Sequence, residues 1–93
     1  MKAGLVAFHY PSDAHRAEFI ARVQLAAEIM RPTPGCVSAD CWVTEDAVIS
    51  TAQWESDDAR ASSFAIARAA GVDFDEDDRE IRPRKILHLE SPR

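Results

Sequence analysis

The side chains of this 93-residue chain that could move protons, carry thiol chemistry or hold a metal are three histidines, two cysteines and one run of acids. His9, His15 and His88 stand apart from one another in sequence. An imidazole that faces a cavity is suited to general-base work, because its pKa lies near neutrality. His15 falls near the exposed start of a helix. His9 and His88 fall on segments expected to be the two middle strands of a sheet. There each fits either a base or a half-buried ring with a backbone partner.

Cys36 and Cys41 are five positions apart. On one continuous strand an odd spacing sends the two thiols to opposite faces, with Cα atoms ~16 Å apart at ~3.3 Å per residue. A disulfide needs Cα atoms within ~7 Å, and a shared metal needs both thiolates on one side. With nothing cationic beside them in sequence, both read as inert small residues. The acidic run Asp73, Asp75, Glu76, Asp77, Asp78 fails as an EF-hand loop: counted from Asp73, the glycine position is Asp78 and the terminal glutamate position is Arg84. It reads as a solvated loop, partly neutralised by Arg79, Arg82 and Arg84, and no metal site is expected. No nucleophile-elbow, Walker, Rossmann or zincin pattern occurs.

Trp54 ends a strand-like run, shares a face with Val48, Ser50 and Ala52, and is followed at once by a helix-capping serine. A large ring there either closes the end of a pocket or simply fills core.

The elements that must position these groups read clearly. "AGLVAFHY" (3–10) is a strand, with Ala3, Leu5, Ala7 and His9 on one face and Gly4, Val6, Phe8 and Tyr10 on the other. Pro11 ends it, and Ser12 is placed to cap a helix whose stripe is Phe19, Ile20, Val23, Ala26, Ala27 and Met30, stopped by "RPTPG". Val37, Ala39, Cys41 and Val43 alternate with polar neighbours in a second strand; "TEDA" turns the chain into a third, "VISTAQWE". Ser56 caps a second helix that runs to Gly71, and "RKILHLE" after Pro83 is the last strand. The order β-α-β-β-α-β predicts an α+β, ferredoxin-like sandwich with an antiparallel sheet, as one domain over residues 1–93. The sheet face without helices would expose Val6, Phe8 and Tyr10, which argues for a face-to-face homodimer. The segment from Gly71 to Arg82 is the place for a lid.

The totals agree with a small globular protein: 46% hydrophobic, 29% charged, and a net charge of −5 that disfavours nucleic acid and anionic membranes as partners. No apolar run reaches the ~18–20 residues of a membrane span. The start lacks a cleavage pattern and reads as mature protein, so a cytoplasmic location with reduced thiols is expected.

The stretch "PGCVSADCWVTEDAVISTAQWESDDARASSF" resembles the antibiotic biosynthesis monooxygenase family, whose members are small dimeric α+β barrels. "VISTAQWES" is similar to the matching segment of the members that oxidise polyketide anthrones to quinones. The resemblance implies a cofactor-independent monooxygenase in which a deprotonated aromatic substrate itself reduces O₂, with no cofactor and a polyketide-type small molecule as partner. It puts the family's Trp on Trp54. The family's Asn four residues earlier becomes Ser50, and the Tyr six residues after the Trp becomes Arg60. The family's distal Arg has no secure counterpart after Gly71. The haem-degrading branch would want Trp and His near Ser63 and Asp73, which argues against that activity. The catalytic set implied is Trp54, Ser50 and His9, with Arg60, His88 and Phe64 contacting substrate. The alternative is a non-catalytic dimeric protein that binds a small hydrophobic ligand or serves as an accessory to a biosynthetic pathway; an isomerase or cyclase on the same barrel is a third.

Overall fold

Strands β1 (Ala3–His9), β2 (Cys36–Val43), β3 (Val48–Trp54) and β4 (Lys85–Glu90) and helices α1 (Arg16–Met30) and α2 (Asp57–Ala69) follow one another in the order β1-α1-β2-β3-α2-β4. The structure is a computed structural model and describes residues 2–75 and 78–92. Glu76 and Asp77 of the acidic run lie outside the described residues. The strands form one antiparallel sheet in the order β2-β3-β1-β4, a ferredoxin-like sandwich. β1 and β3 are therefore the middle strands. His88 lies on β4, an edge of the four-stranded sheet, and not on a middle strand as expected; β1 takes both β3 and β4 as neighbours, so β4 is left outermost.

Local chemistry explains where the elements begin and end. The Ser56 hydroxyl accepts the Ala59 N–H at 3.1 Å, a helix N-cap. At the other end of α2, the Gly71 N–H donates to the Arg68 carbonyl and the Val72 N–H to the Ala67 carbonyl, both at 3.0 Å. That is a Schellman stop, and Gly71 supplies its left-handed residue at φ +96°. Ser12 behaves differently from the expectation. Its side chain makes no cap bond, and a short 3-10 turn over Asp13–His15 precedes α1. The Ser12 N–H is spent on the Arg79 carbonyl at 3.0 Å, because residues 79–81 run beside the end of β1.

Gly35 opens β2 at φ +81°, where a Cβ would lie 2.6 Å from the Ala59 Cβ. Its carbonyl accepts the Glu55 N–H at 2.8 Å, locking the start of β2 to the end of β3. Only glycine serves both needs, a left-handed backbone and close approach to α2.

One bulge reorders β2. Cys36 pairs with Trp54 but Ser38 pairs with Gln53, so Val37 is an extra residue, half exposed at 50%. The extra residue changes the parity of the strand. Cys36 and Cys41 therefore lie opposite Trp54 and Ser50 on the same, helix-facing side, which corrects the expectation that odd spacing separates them. Four β3 positions still divide their partners, about 13 Å along a strand, and both thiols are free. Burial raises both thiol pKa values, so neither is poised as a thiolate.

The helices lie on the face of Leu5, Ala7, Ala39, Ala52 and Trp54 and pack mainly over β2 and β3. Phe19, Val23, Ala27 and Met30 are the buried stripe of α1. Alanines on the sheet let that stripe come close over β2 and β3. Over β1 and β4 the space between sheet and helices stays open. The opposite sheet face carries Leu87, Leu89 and Trp42, exposed at 40%, 44% and 59%. Val6 and Phe8 on that face are half-buried, not fully exposed as expected, and Tyr10 past the strand end is covered by the Arg82 guanidinium 4.0 Å from its ring centre.

Candidate active site

The open space is a cavity of about 410 Å³, within the ~300–1,000 Å³ typical of small-molecule sites. Its floor is the helix-facing row of β1 and its neighbours: Leu5, Ala7 and His9, with Ser50 from β3 and Ile86 and His88 from β4. α1 contributes Phe19, Arg22, Val23 and Met30; α2 contributes Phe64 and Arg68; Phe74 and Arg84 close the side. The wall is mostly hydrocarbon and aromatic, with a few polar groups.

His9 stands at one end, its side chain 15% exposed. Behind it lies a charge pair. Arg84 grips Glu80 Oε2 through Nε at 3.0 Å and Nη2 at 2.8 Å, and the two side chains are 7% and 4% exposed. Glu80 Oε1 accepts the Tyr10 N–H at 3.1 Å and sits 3.4 Å from His9 Nδ1. That last distance is a charge contact, and His9 Nδ1 forms no hydrogen bond there. The backbone explains the meeting: the Ile81 N–H donates to the Tyr10 carbonyl at 2.8 Å, and Pro11 bridges to Glu80. Burial, foremost, and the Arg84 charge hold the His9 pKa below the ordinary 6.5, against the opposing pull of Glu80. A neutral imidazole at the end of a mostly apolar pocket is the result.

His88 occupies a different end. It pairs with Leu5, four residues from His9 on β1, which places the two backbone positions about 13 Å apart along the strand direction. Its Nδ1 lies 3.3 Å from Arg60 Nη1, and Arg60 is held in turn by Asp57 at 3.0 Å. Arg60 thus touches the cavity through His88 and is not itself part of the lining.

Trp54 is fully buried, with 0% exposure. Its Nε1–H donates to the Ser63 hydroxyl at 2.8 Å; Ser63 is hydrogen-bonded to the Thr33 hydroxyl, which donates to the Met30 carbonyl at 2.6 Å. Phe64 stands between the indole and the cavity, its ring centre 5.8 Å from Trp54 and 4.8 Å from Phe74. Arg68 lies over both phenylalanines, 5.7 and 5.4 Å from their centres. So His9, Ser50, His88 and Phe64 share one cavity, Arg60 lies behind His88, and Trp54 lies behind Phe64.

Glu80, Arg84 and Phe74 were not singled out as site residues in the sequence. Arg84 pairs with Glu80, Arg82 with Asp46 at 2.5 Å, and Arg79 with Glu18 at 2.6 Å. Arg79 and Arg82 therefore tie that segment to α1 and to the β2–β3 turn, while the Arg84–Glu80 pair lies within it. The only sequence signal was a Glu and an Arg four apart around Pro83, a spacing that by itself reads as a surface ion pair. Among the described residues no group of three or more His, Cys, Asp or Glu could hold a metal ion, and no helix is long and apolar enough to cross a membrane.

Comparison with solved structures identifies the fold. Rv0793 from Mycobacterium tuberculosis superposes with a TM-score of 0.78 at 17% identity, over 100% of this chain and 97% of that one. An antibiotic biosynthesis monooxygenase superposes at 0.72 with 10% identity, over 98% and 99% of the two chains. A variant of SnoaB, a cofactor-independent oxygenase from Streptomyces nogalater, superposes at 0.72 with 16% identity, over 99% and 94%. No family model matches the sequence, and no curated protein sequence matches it.

Proposed function

We propose that this chain, which has the fold of the antibiotic biosynthesis monooxygenase structures, is a cofactor-independent monooxygenase-like enzyme acting on an aromatic, polyketide-type small molecule. One observation carries the reading: a mostly apolar cavity with a neutral imidazole, His9, at its end. His9 removes a proton from an acidic C–H or O–H of the substrate. The carbanion or phenolate left behind is electron-rich enough to reduce O₂. For an anthrone-type methylene, one oxygen atom becomes the new carbonyl and the other leaves as water with the two hydrogens, so the substrate supplies all the electrons. Phe64 and Phe74 offer ring faces to an aromatic body, and Ser50 and His88 offer hydrogen bonds at its oxygens. Trp54 backs Phe64 and keeps that ring in place. Exclusion of water protects the anion from reprotonation.

The test is O₂ uptake with an anthrone-type substrate in chelator-treated buffer. The expected result is consumption of one O₂ per quinone formed, unaffected by the chelator. Tight binding of the compound without O₂ uptake selects the reading of a ligand-binding or accessory protein, consistent with Ser50 and Arg60 standing where the resembled enzymes carry Asn and Tyr.

The same reading includes a homodimer through the helix-free sheet face. Leu87, Leu89 and Trp42 form an apolar surface there that a second copy would bury. Light scattering is expected to give twice the chain mass for the native protein, and Leu89→Arg, which puts a charge at that contact, is expected to give monomer. A native monomer at micromolar concentration removes the dimer.

A further inference from the structure

The two cavity histidines differ in what stands behind them, and that difference decides which nitrogen each offers to a ligand. His9 Nδ1 is buried, without a hydrogen bond, and faces the Glu80 carboxylate at 3.4 Å. A carboxylate attracts an N–H and repels a lone pair, so the proton belongs on Nδ1. Glu80 is not free to turn away, because Arg84 and the Tyr10 N–H together hold both of its oxygens. His88 has the opposite partner. A guanidinium only donates, so the 3.3 Å contact from Arg60 makes His88 Nδ1 an acceptor and leaves the proton on Nε2.

We propose that Glu80 and Arg60 are positioning residues that set opposite tautomers on the two histidines, so that His9 presents a bare Nε2 as proton acceptor and His88 presents an Nε2–H as hydrogen-bond donor. The inference rests on the cavity being the reaction site, but its structural half stands apart from any substrate. In the reaction, the substrate C–H or O–H bond breaks, the proton goes to His9 Nε2, and the electron pair stays on the substrate. The imidazolium then carries both N–H groups, and Glu80 stabilises it through Nδ1–H. Four residues along β1 from His9, His88 addresses the other end of the ligand, where charge delocalised onto an oxygen gains from a donor. The charged groups around His9 from every side are Glu80 and Arg84 from the segment before β4 and Arg22 from α1, with the Phe19 ring 6.2 Å away.

Long-range proton–nitrogen correlation spectra of protein labelled with ¹⁵N-histidine read the tautomers directly, with His15 assigned by substitution. Wild-type protein at neutral pH is expected to show His9 protonated at Nδ1 and His88 at Nε2. Finding His9 protonated at Nε2, or His88 at Nδ1, overturns the proposal whatever the activity. Glu80→Gln is expected to move His9 toward the Nε2–H form and to lower kcat by roughly 10²–10⁴-fold with KM unchanged. Glu80→Asp is expected to restore the wild-type His9 signal in part. Arg60→Gln is expected to release the His88 preference and leave His9 as it was. Because the wild-type spectrum alone decides the tautomers, a Glu80→Gln protein that fails to fold leaves the test intact. Correct tautomers with no O₂ uptake sink the oxygenase reading and leave this assignment standing.

Discussion

His9→Gln is expected to lower kcat/KM for O₂ uptake by roughly 10²–10⁴-fold, the usual contribution of a positioned general base. Glutamine keeps a polar side chain of similar length beside Glu80 but has no basic nitrogen at neutral pH, so it separates proton transfer from packing. The rate of the native enzyme should also follow pH in a particular direction. Burial and Arg84 disfavour the imidazolium, so the folded protein holds His9 neutral down to a pH below the ordinary 6.5. The acid limb of kcat/KM is therefore expected below pH 6.5, and it should vanish in the His9→Gln protein. The sign for stability follows from the same shift. The unfolded chain binds the His9 proton more readily than the folded one. His9 thus contributes stability above the unfolded value of 6.5, and that contribution is lost as pH falls toward the folded value. A variant within a few-fold of wild type, with the acid limb unmoved, would show that the base lies elsewhere.

Trp54→Ala is expected to cost about 3–5 kcal/mol of stability, a large share of the ~5–15 kcal/mol that holds a typical domain together. The indole has no exposed surface, so its removal opens a cavity at the junction of β2, β3 and α2. It also takes the donor from Ser63, at the head of the chain of hydrogen bonds that runs through Thr33 to the Met30 carbonyl. Trp54→Phe fills most of that space, leaves a smaller gap and loses the hydrogen bond, a cost of about 1–3 kcal/mol. The two variants, followed by chemical denaturation and by turnover, separate support from contact. If Trp54 acts by backing Phe64, the Phe variant keeps most of its activity. If turnover collapses while stability is nearly unchanged, the indole touches substrate in a rearranged cavity, and its place behind Phe64 is not its working position.

Much of this protein was legible as a sequence because much of it is local. The stripe from Phe19 to Met30 fixes a helix and its buried face by period alone. Ser56 and Gly71 mark the two ends of α2 through bonds made within a few residues. "TEDA" closes a hairpin by its own side chains, with the Thr44 hydroxyl accepting the Ala47 N–H at 3.0 Å. Alternation put Ser50 and Trp54 on the helix side of β3, and His9 on the same side of β1. The order of these elements was enough for the ferredoxin-like fold.

Other properties depend on how distant segments meet. A single extra residue at Val37 turned both cysteines to one face, since a strand's period of two makes parity sensitive to one insertion. Trp54 reads the same in sequence whether it lines a pocket or backs its wall; the position of Phe64 on α2 decides, and that follows from how the helix packs. His9 was visible as an isolated imidazole, but its character comes from Glu80 and Arg84, carried to it by an irregular segment that pairs with Tyr10 and Ser12. Composition and periodicity determined the elements, their order and, away from the bulged start of β2, which residues face the helices. The tertiary structure alone decided which of those residues share a cavity and what stands behind each, because contacts between distant segments leave no period in the chain to read.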